Sequence, residues 1–495
     1  MKTPEPSIIP LARTGPCRRV RALRNDLSAC LWDGFLYCVM VGIGETYLAA
    51  FVLHLGLGPL LSGLVTTVPV VAGAFLQLAA PWAVRRLGSY PKFVAGCAYI
   101  QALLYVPFAL LALFSEPVAA WSNLHGLTPL LGFGVFIVAT LYWAVGLGCG
   151  PAWTTLVGEI IPARIRPHYF GKRNRLLQFG TLLGLLVHGG VMQWLQTLDP
   201  QRAPLASIGG SGWTSFGFAC LFIVAGLCRL WSGYLLSTYS DPPRPITHTT
   251  IPLLNFATNR RGDSSFLLFV AAMGIATQIA QPFFNPFMLE KLRANPAWYS
   301  VLLASALVGK GLAQPFAAKW ASRHGAARPL TIGALLLIPL PLVWLATDSF
   351  AWLLVGQLLS GAVWGMFELA TFLRNFETTR PHERMSVLAN FNCLNETAKT
   401  GGSLIGGRIL GTGADPAYAW VFWASTAARG LAVLALSPAA RRIITRPLTA
   451  ILDAGPRSGN PGSGVADNIV PIDPPTASPS APQDATPPSG RNSDR

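Results

Sequence analysis

Long apolar runs recur through this chain and restrict what it can fold into. A helix of about 20 residues, rising 1.5 Å per residue, crosses the ~30 Å hydrocarbon core of a bilayer. Twelve runs of about this length are separated by polar residues or by Gly and Pro, with limits 28–52, 60–84, 92–114, 128–155, 172–196, 212–236, 263–290, 297–321, 328–347, 350–374, 385–411 and 416–436. The sequence therefore predicts an all-α integral membrane protein, whose twelve transmembrane helices we number spans 1 to 12.

The composition and the placement of charge agree with a membrane protein. Of the 495 residues, 52% are hydrophobic and 12% are charged, whereas a soluble protein carries roughly a quarter charged residues. The net charge of +16 is spread over the termini and the short loops on one side of the predicted membrane. Basic loops of this kind face the cytoplasm and its anionic leaflet. We therefore expect a multi-pass protein of the bacterial inner membrane with both termini in the cytoplasm, in contact with lipids and not with nucleic acid.

The chain lacks the local patterns that metal or covalent chemistry needs. Its eight cysteines form no C-x-x-C pair and lie mostly within apolar runs, as small core residues do. There is no G-x-S-x-G elbow and no histidine and aspartate arrangement typical of a lipid-modifying enzyme. We expect no metal, no cofactor and no enzymatic activity.

Faint internal repeats divide the chain into two halves of six spans. The segment QLAAPWA near the end of span 2 resembles QPFAAKWA near the end of span 8, and Arg229 in span 6 resembles Arg429 in span 12. Such parallel duplication is one of the transporter repeat patterns. The predicted organisation is a basic N-terminus, an N-terminal bundle, a linker, a C-terminal bundle and a mostly disordered cytoplasmic tail, at residues 1–27, 28–236, 237–262, 263–440 and 441–495.

Twelve spans in two halves, with basic inner loops and a short basic turn between spans 2 and 3, resemble the major facilitator superfamily. The loop from Gly158 to Arg166 is similar to the inner loop after span 4 in many bacterial members. The resemblance covers about residues 27–440 and implies a secondary transporter, a monomer that rocks two bundles about a central site. The family's motif between spans 2 and 3 includes an aspartate that is missing before Gly88, so the usual inner salt-bridge network is not implied. We place an inner gate at the charges that remain near this end, namely Asp33, Arg85, Arg86, Glu159 and Arg164.

Polar residues at depth in the predicted spans are the candidates for function, because an unpaired charge is costly inside the bilayer. Lys310 lies near the middle of span 8, and Glu45 and Glu368 lie ~8 Å from the middle of spans 1 and 10 at 1.5 Å per residue. Span 11 and the proline-containing span 7 contribute further polar groups. The predicted substrate- or proton-binding set is Glu45, Lys310, Glu368, Gln278, Gln281, Asn285, Glu396 and Lys399.

Each of these residues also has a structural interpretation. Glu45 is a proton site or a substrate contact, or else it forms an ion pair with a neighbouring helix, with Lys310 as a candidate partner. Glu396 and Lys399 are three residues apart on one helix face and could simply neutralise each other. The two interpretations stay open for both sets.

The function that these features favour is a secondary active transporter. It would move a small polar or amphipathic solute by alternating access, with proton coupling as a hypothesis. The alternatives are a non-transporting membrane sensor or assembly partner that acts through its tail and, with less support, a polytopic lipid-modifying enzyme.

Overall fold

The structure is a computed structural model. It describes residues 16–57, 61–62, 64–65, 68–114, 128–197, 212–241, 264–284, 287–288, 296–411 and 417–436.

All regular secondary structure in the described residues is helical and follows the predicted order of spans. Spans 4, 5, 6, 8, 10, 11 and 12 are each one helix, at Thr128–Ile160, Arg166–Thr197, Gly212–Ser237, Pro296–His324, Phe350–Thr378, Arg384–Leu410 and Ala417–Leu436. The remaining spans are broken. They comprise Pro16–Ile43, Glu45–Tyr47 and Leu48–His54 in span 1, Val68–Leu76, Gln77–Ala79 and Ala80–Leu87 in span 2, Tyr90–Leu103 and Tyr105–Leu113 in span 3, Ser264–Gln278 and Gln281–Phe283 in span 7, and Ala327–Leu337 and Leu340–Ala346 in span 9.

Spans 1 to 10 are long and apolar enough to cross a membrane in the part of the chain that the structure describes. Spans 11 and 12 complete the predicted set, and span 11 has a low mean hydropathy because it carries Asn, Thr, Glu and Lys. The twelve-helix, all-α fold is thus confirmed. The predicted domain limits stay predictions, and the first of them, at residue 27, falls inside the helix Pro16–Ile43.

Short turns join spans 2 and 3 and, in the other half, spans 8 and 9. Gly88 and Gly325 end spans 2 and 8 with φ values of 66° and 77°, a left-handed conformation that favours glycine. Ser89 then accepts a hydrogen bond from the backbone N–H of Lys92 and caps span 3. These equivalent turns support the duplication that the sequence suggested.

Two buried arginines show the same repeat in three dimensions. Arg229 of span 6 donates to Gln101 Oε1 of span 3 at 2.8 Å, and Arg429 of span 12 donates to the Leu337 carbonyl of span 9 at 2.6 Å. The Leu337 carbonyl lies four residues before Pro341, which has no N–H to donate. Arg429 therefore supplies the hydrogen bond that the proline removes and stabilises the break in span 9.

Glycines allow several spans to pack backbone against backbone. The Cα of Gly42 in span 1 lies 2.8 Å from where a Cβ on Gly184 of span 5 would stand. Gly402 and Gly406 of span 11 face the carbonyls of Ile275 and Ile279 in the same way. Small residues at such spacing are typical of close helix packing in membranes. This contact holds span 11 against span 7, the pair of helices that carries most of the candidate site.

Candidate functional site

A cavity of about 410 Å³ lies between spans 7, 10 and 11 in the C-terminal half. A volume of this size is typical of small-molecule sites. Its wall is mostly apolar and includes a few polar groups. The lining residues that the sequence had singled out are Gln278, Gln281, Glu368 and Lys399.

A second cavity of about 280 Å³ shares Gln278, Gln281 and Lys399 with the first. Because three residues line both, the two cavities are neighbours along one wall. Glu396 of span 11 and Val70 of span 2 also line the second cavity. It therefore lies at the junction of the N-terminal and C-terminal halves, where a transporter of two bundles is expected to bind its substrate.

Lys310 and Glu368 form an ion pair between spans 8 and 10. The Nζ atom of Lys310 lies 2.8 Å from one carboxylate oxygen of Glu368 and 2.6 Å from the other. The two spans approach closely because Gly365 of span 10 faces the backbone of Lys310. Lys310 therefore pairs with Glu368 within its own half, and the ion pair considered between Lys310 and Glu45 is not formed.

Glu396 and Lys399 also pair, at 2.7 Å, one turn apart on span 11. The pairing agrees with the structural interpretation of these residues. Both side chains nevertheless line the 280 Å³ cavity, and Lys399 lines the larger one as well. Lys399 Nζ has three N–H donors, and the hydrogen bond to Glu396 uses one of them. The pair therefore remains available to a ligand.

Span 7 is interrupted where its polar residues lie. The helix Ser264–Gln278 ends at Gln278, and the 3-10 turn Gln281–Phe283 follows it with Pro282 at its second position. Span 7 is thus a broken helix, and both glutamines line the two cavities. Asn285, the third predicted member, lies outside the described residues.

Two asparagines that the sequence reading missed also line the larger cavity. Asn375 of span 10 and Asn395 of span 11 are about nine-tenths buried. Among the described residues, neither side-chain carbonyl oxygen has a hydrogen-bond partner. Buried polar groups are normally hydrogen-bonded, so an unpaired acceptor beside a cavity calls for a partner. The feature of the sequence that could have identified them is a side-chain amide in or next to an apolar span.

Glu45 lies apart from this cavity, in the N-terminal half. It begins the 3-10 turn Glu45–Tyr47 that interrupts span 1, and its carboxylate accepts a hydrogen bond from Tyr142 at 2.9 Å. The hydroxyl groups of Tyr142 and Tyr105 are 3.1 Å apart. In the described part of the chain no lysine or arginine forms an ion pair with Glu45. The carboxylate is thus held by a neutral donor.

The break in span 1 is stabilised by the side chain of His188 from span 5. Its Nδ1 atom lies 2.6 Å from the Ile43 carbonyl at the end of the first helix, and its ring stacks on Tyr47 with 3.4 Å between centroids. Thr46 donates to the Val41 carbonyl at 2.9 Å. These contacts provide partners for carbonyls that a helix end leaves without hydrogen bonds. They stabilise the break in span 1 and so fix the position of Glu45.

Asp33 is buried inside the N-terminal half, with 4% of its surface exposed. The sequence predicts this charge at the inner gate but does not indicate its burial among neighbouring side chains. Ser232 and Tyr239 donate to its two carboxylate oxygens at 2.9 and 3.0 Å, and an Arg173 nitrogen lies 3.9 Å away. Burial and the charge of Asp33 raise the pKa of the Tyr239 phenol well above its usual value, so Tyr239 remains a donor. Asp33 therefore joins spans 1, 5 and 6.

The other predicted gate residues lie at the end of the bundle that carries the basic loops. Arg164 is exposed in the turn between spans 4 and 5, and Arg85 and Arg86 are exposed at the end of span 2. The Arg86 guanidinium lies 5.5 Å from the Trp82 ring centre. Glu159 is half-buried near the end of span 4.

The contact that joins the two halves at this end is aromatic. Two guanidinium groups lie over the ring of Phe376 in span 10, those of Arg166 in span 5 and Arg384 in span 11, each 5.0 Å from its centre. Phe170 of span 5 packs on Phe372 of span 10 with 4.7 Å between ring centres. We call these five residues the aromatic latch. The sequence reading did not identify the latch, because ring-on-ring contacts between distant spans leave no local pattern.

Comparisons with known proteins agree with this architecture. Residues 264–458 match the family model described as Major Facilitator Superfamily. Over these residues the C-terminal half of the chain is therefore similar to the Major Facilitator Superfamily. A comparison with curated protein sequences finds no match.

Solved structures of superfamily transporters share the fold over most of their length. A bacterial homologue of the iron transporter ferroportin in the outward-facing state has a TM-score of 0.61 at 12% identity, covering 82% of this chain and 97% of that one. The E. coli fucose:proton symporter FucP has a TM-score of 0.60 at 14% identity, covering 83% and 99%. The proton:xylose symporter XylE has a TM-score of 0.59 at 13% identity, covering 84% and 95%.

At these identities the structural likeness establishes the fold alone. Together with the family match over residues 264–458 and the ten helices of the described residues that are long and apolar enough to cross a membrane, this fold supports a multi-pass membrane protein.

Proposed function

We propose that this protein, as a member of that superfamily, moves a small polar or amphipathic solute by alternating access. The observation that carries the proposal is the pair of neighbouring cavities that share Gln278, Gln281 and Lys399 and reach span 2 of the other half. Substrate bound there would contact both bundles, so their relative rocking would change its exposure from one side to the other. The aromatic latch closes the end with the basic loops, and its rings and arginines come from both halves.

The direct test is solute flux into proteoliposomes that contain the purified full-length chain. A panel of sugars, organic anions, organic cations and amino acids, each tested at two pH values, covers the solute classes in question. Accumulation above empty vesicles of at least one solute supports the proposal. No flux of any class at either pH contradicts it.

Proton coupling is proposed to act through Glu45. Among the described residues its carboxylate accepts a hydrogen bond from the neutral hydroxyl of Tyr142 and forms no ion pair, so a proton can bind it without breaking an ion pair. Because Glu45 lies in the other half from Lys310, Glu368 and Lys399, coupling would pass between the halves as they rock.

Glu45→Gln keeps a side-chain oxygen for Tyr142 but cannot bind a proton. We expect it to abolish accumulation driven by a proton gradient while solute exchange at equal pH continues. Glu377→Gln, at an exposed residue near the end of span 10, is the matched control and should behave as wild type. Proton-driven accumulation by Glu45→Gln with unchanged pH dependence would show that Glu45 is not the coupling site.

The basic loops are proposed to face the cytoplasm of a bacterial inner membrane, with both termini on that side and the protein acting as a monomer in lipid. Single cysteines at exposed Ser322, near the end of span 8, and at exposed Asp348, just after span 9, test this orientation. In right-side-out vesicles an impermeant maleimide should label the cysteine at 348 and not the one at 322. The opposite labelling contradicts the orientation.

The alternative of a sensor or assembly partner depends on the tail. Residues 437–495 lie outside the described residues, and deletion of 452–495 separates the two functions. A transporter keeps its flux without the tail, whereas a signalling role that acts through the tail would be lost with it.

A further inference from the structure

The charges around the two cavities are balanced within the site. Lys310 pairs with Glu368, and Lys399 pairs with Glu396. Two cations and two anions leave no net charge there. A solute with a net charge would therefore enter the site without a counter-charge, at the cost of desolvation. A solute that is neutral overall avoids this cost.

Unused hydrogen-bonding capacity is divided between two parts of the site. Asn375 and Asn395 bring acceptor oxygens without partners in the described residues, and Glu368 brings a carboxylate whose side chain is 46% exposed. Lys399 lines both cavities, donates one hydrogen bond to Glu396 and has further N–H donors. Acceptors thus gather in the larger cavity, and a cationic donor stands where it meets the smaller one.

The spacing of these groups suits a small molecule. Asn395 and Lys399 are four residues apart on span 11, which places them about 6 Å apart along one face of the helix. The larger cavity also has an aromatic wall formed by Trp364, Phe367, Phe372 and Phe391. Aromatic faces accommodate an apolar group and attract a cation.

On the basis of the proposed transport function, we infer that the substrate is an amino-acid-sized zwitterion with an apolar body. Its ammonium group would lie against Glu368 and the side-chain oxygens of Asn375 and Asn395. Its carboxylate would lie on Lys399, and its apolar body would pack on the aromatic wall. A neutral sugar would bring no charged group to Glu368 or Lys399, and a simple ion would satisfy one end of the site only.

A series of ligands with one apolar body tests this inference. L-phenylalanine is the zwitterion, phenylalaninamide carries only the cation, and N-acetylphenylalanine carries only the anion. We expect purified protein to bind L-phenylalanine at least about tenfold more tightly than either analogue, which corresponds to about 1.4 kcal/mol. Equal binding of either analogue, or absence of phenylalanine binding, would overturn the inference.

Variants at Lys399 assign the carboxylate. Lys399→Gln should bring L-phenylalanine and phenylalaninamide to equal affinity, while Lys399→Arg should keep the preference for the zwitterion. Lys319→Gln, at an exposed lysine outside both cavities, is the matched control and should bind as wild type. An unchanged preference in folded Lys399→Gln would overturn the role of Lys399.

The transport proposal and this inference fail in different ways. Accumulation of a sugar or a simple ion in the proteoliposome panel, without binding of phenylalanine, overturns the zwitterion and leaves transport standing. Absence of flux for every class contradicts transport itself.

Discussion

Charged residues inside the spans could be located in depth from the sequence, but their partners could not. Position along a helix fixes depth at 1.5 Å per residue, and Lys310, Glu396 and Lys399 do occupy helices that line or adjoin the cavities. Which side chain faces which neighbour depends on helix rotation and packing. An ion pair with Lys310 in the other half was one of the alternatives left open for Glu45, and the structure instead places Glu45 beside Tyr142 of its own half.

Asp33 gives a prediction at this scale. Asp33→Asn removes the negative charge beside Arg173 while it keeps the side-chain shape. Loss of one partner from a buried charge pair typically costs about 3–5 kcal/mol, so we expect a clear fall in thermal stability in detergent. Asp348→Asn, the same change at an exposed residue, should shift stability by less than about 0.5 kcal/mol. Equal unfolding temperatures for the two variants would contradict the structural role of Asp33.

At the scale of elements, helix existence could be predicted and helix breaks only in part. The length of the apolar runs identified twelve spans, and Pro282 marked the break in span 7. The break at Glu45 has no proline. It depends on His188 and Thr46 binding the freed carbonyls, and those contacts come from packing and from local geometry that hydropathy does not record.

The close contact between spans 7 and 11 gives a second prediction. A Cβ on Gly402 would collide with the Ile275 carbonyl, whereas a Cβ on neighbouring Gly401 would meet nothing within 4 Å. Gly402→Ala should therefore lower the unfolding temperature, and Gly401→Ala should leave it equal or higher, because alanine favours helix by about 0.5–1 kcal/mol over glycine. Equal shifts for the two variants would show that this contact is not tight.

The aromatic latch gives a third prediction, on the distance between the two halves. Phe376→Ala removes the ring over which the guanidinium groups of Arg166 and Arg384 lie and leaves the two groups to repel each other. Spin labels at the exposed positions 164 and 380, in opposite halves, should then report longer distances by double electron–electron resonance. Phe316→Ala, at a span 8 residue that is 75% exposed, should keep the wild-type distribution. The same distances in Phe376→Ala would contradict the latch.

At the scale of the whole molecule, the sequence anticipated two halves but not how the candidate residues divide between them. Six of the predicted binding residues belong to the C-terminal half and gather in or beside the two cavities, namely Lys310, Glu368, Gln278, Gln281, Glu396 and Lys399. Glu45 and Asp33 stand apart in the N-terminal half, each with its own partners. This division depends on which spans pack together, and a single sequence gives no information about that packing.

The central claim is that solute crosses the membrane through the cavity between spans 7, 10 and 11. Thr371 lines this cavity and is half-buried, whereas Leu404 of span 11 is 69% exposed on the outer surface of the bundle. The most direct measurement is uptake, by proteoliposomes, of the solute that the panel identifies, comparing Thr371→Trp with Leu404→Trp. Filling the cavity should reduce uptake to the level of empty vesicles, and the surface tryptophan should leave it at the wild-type rate. Wild-type uptake by folded Thr371→Trp would contradict the claim.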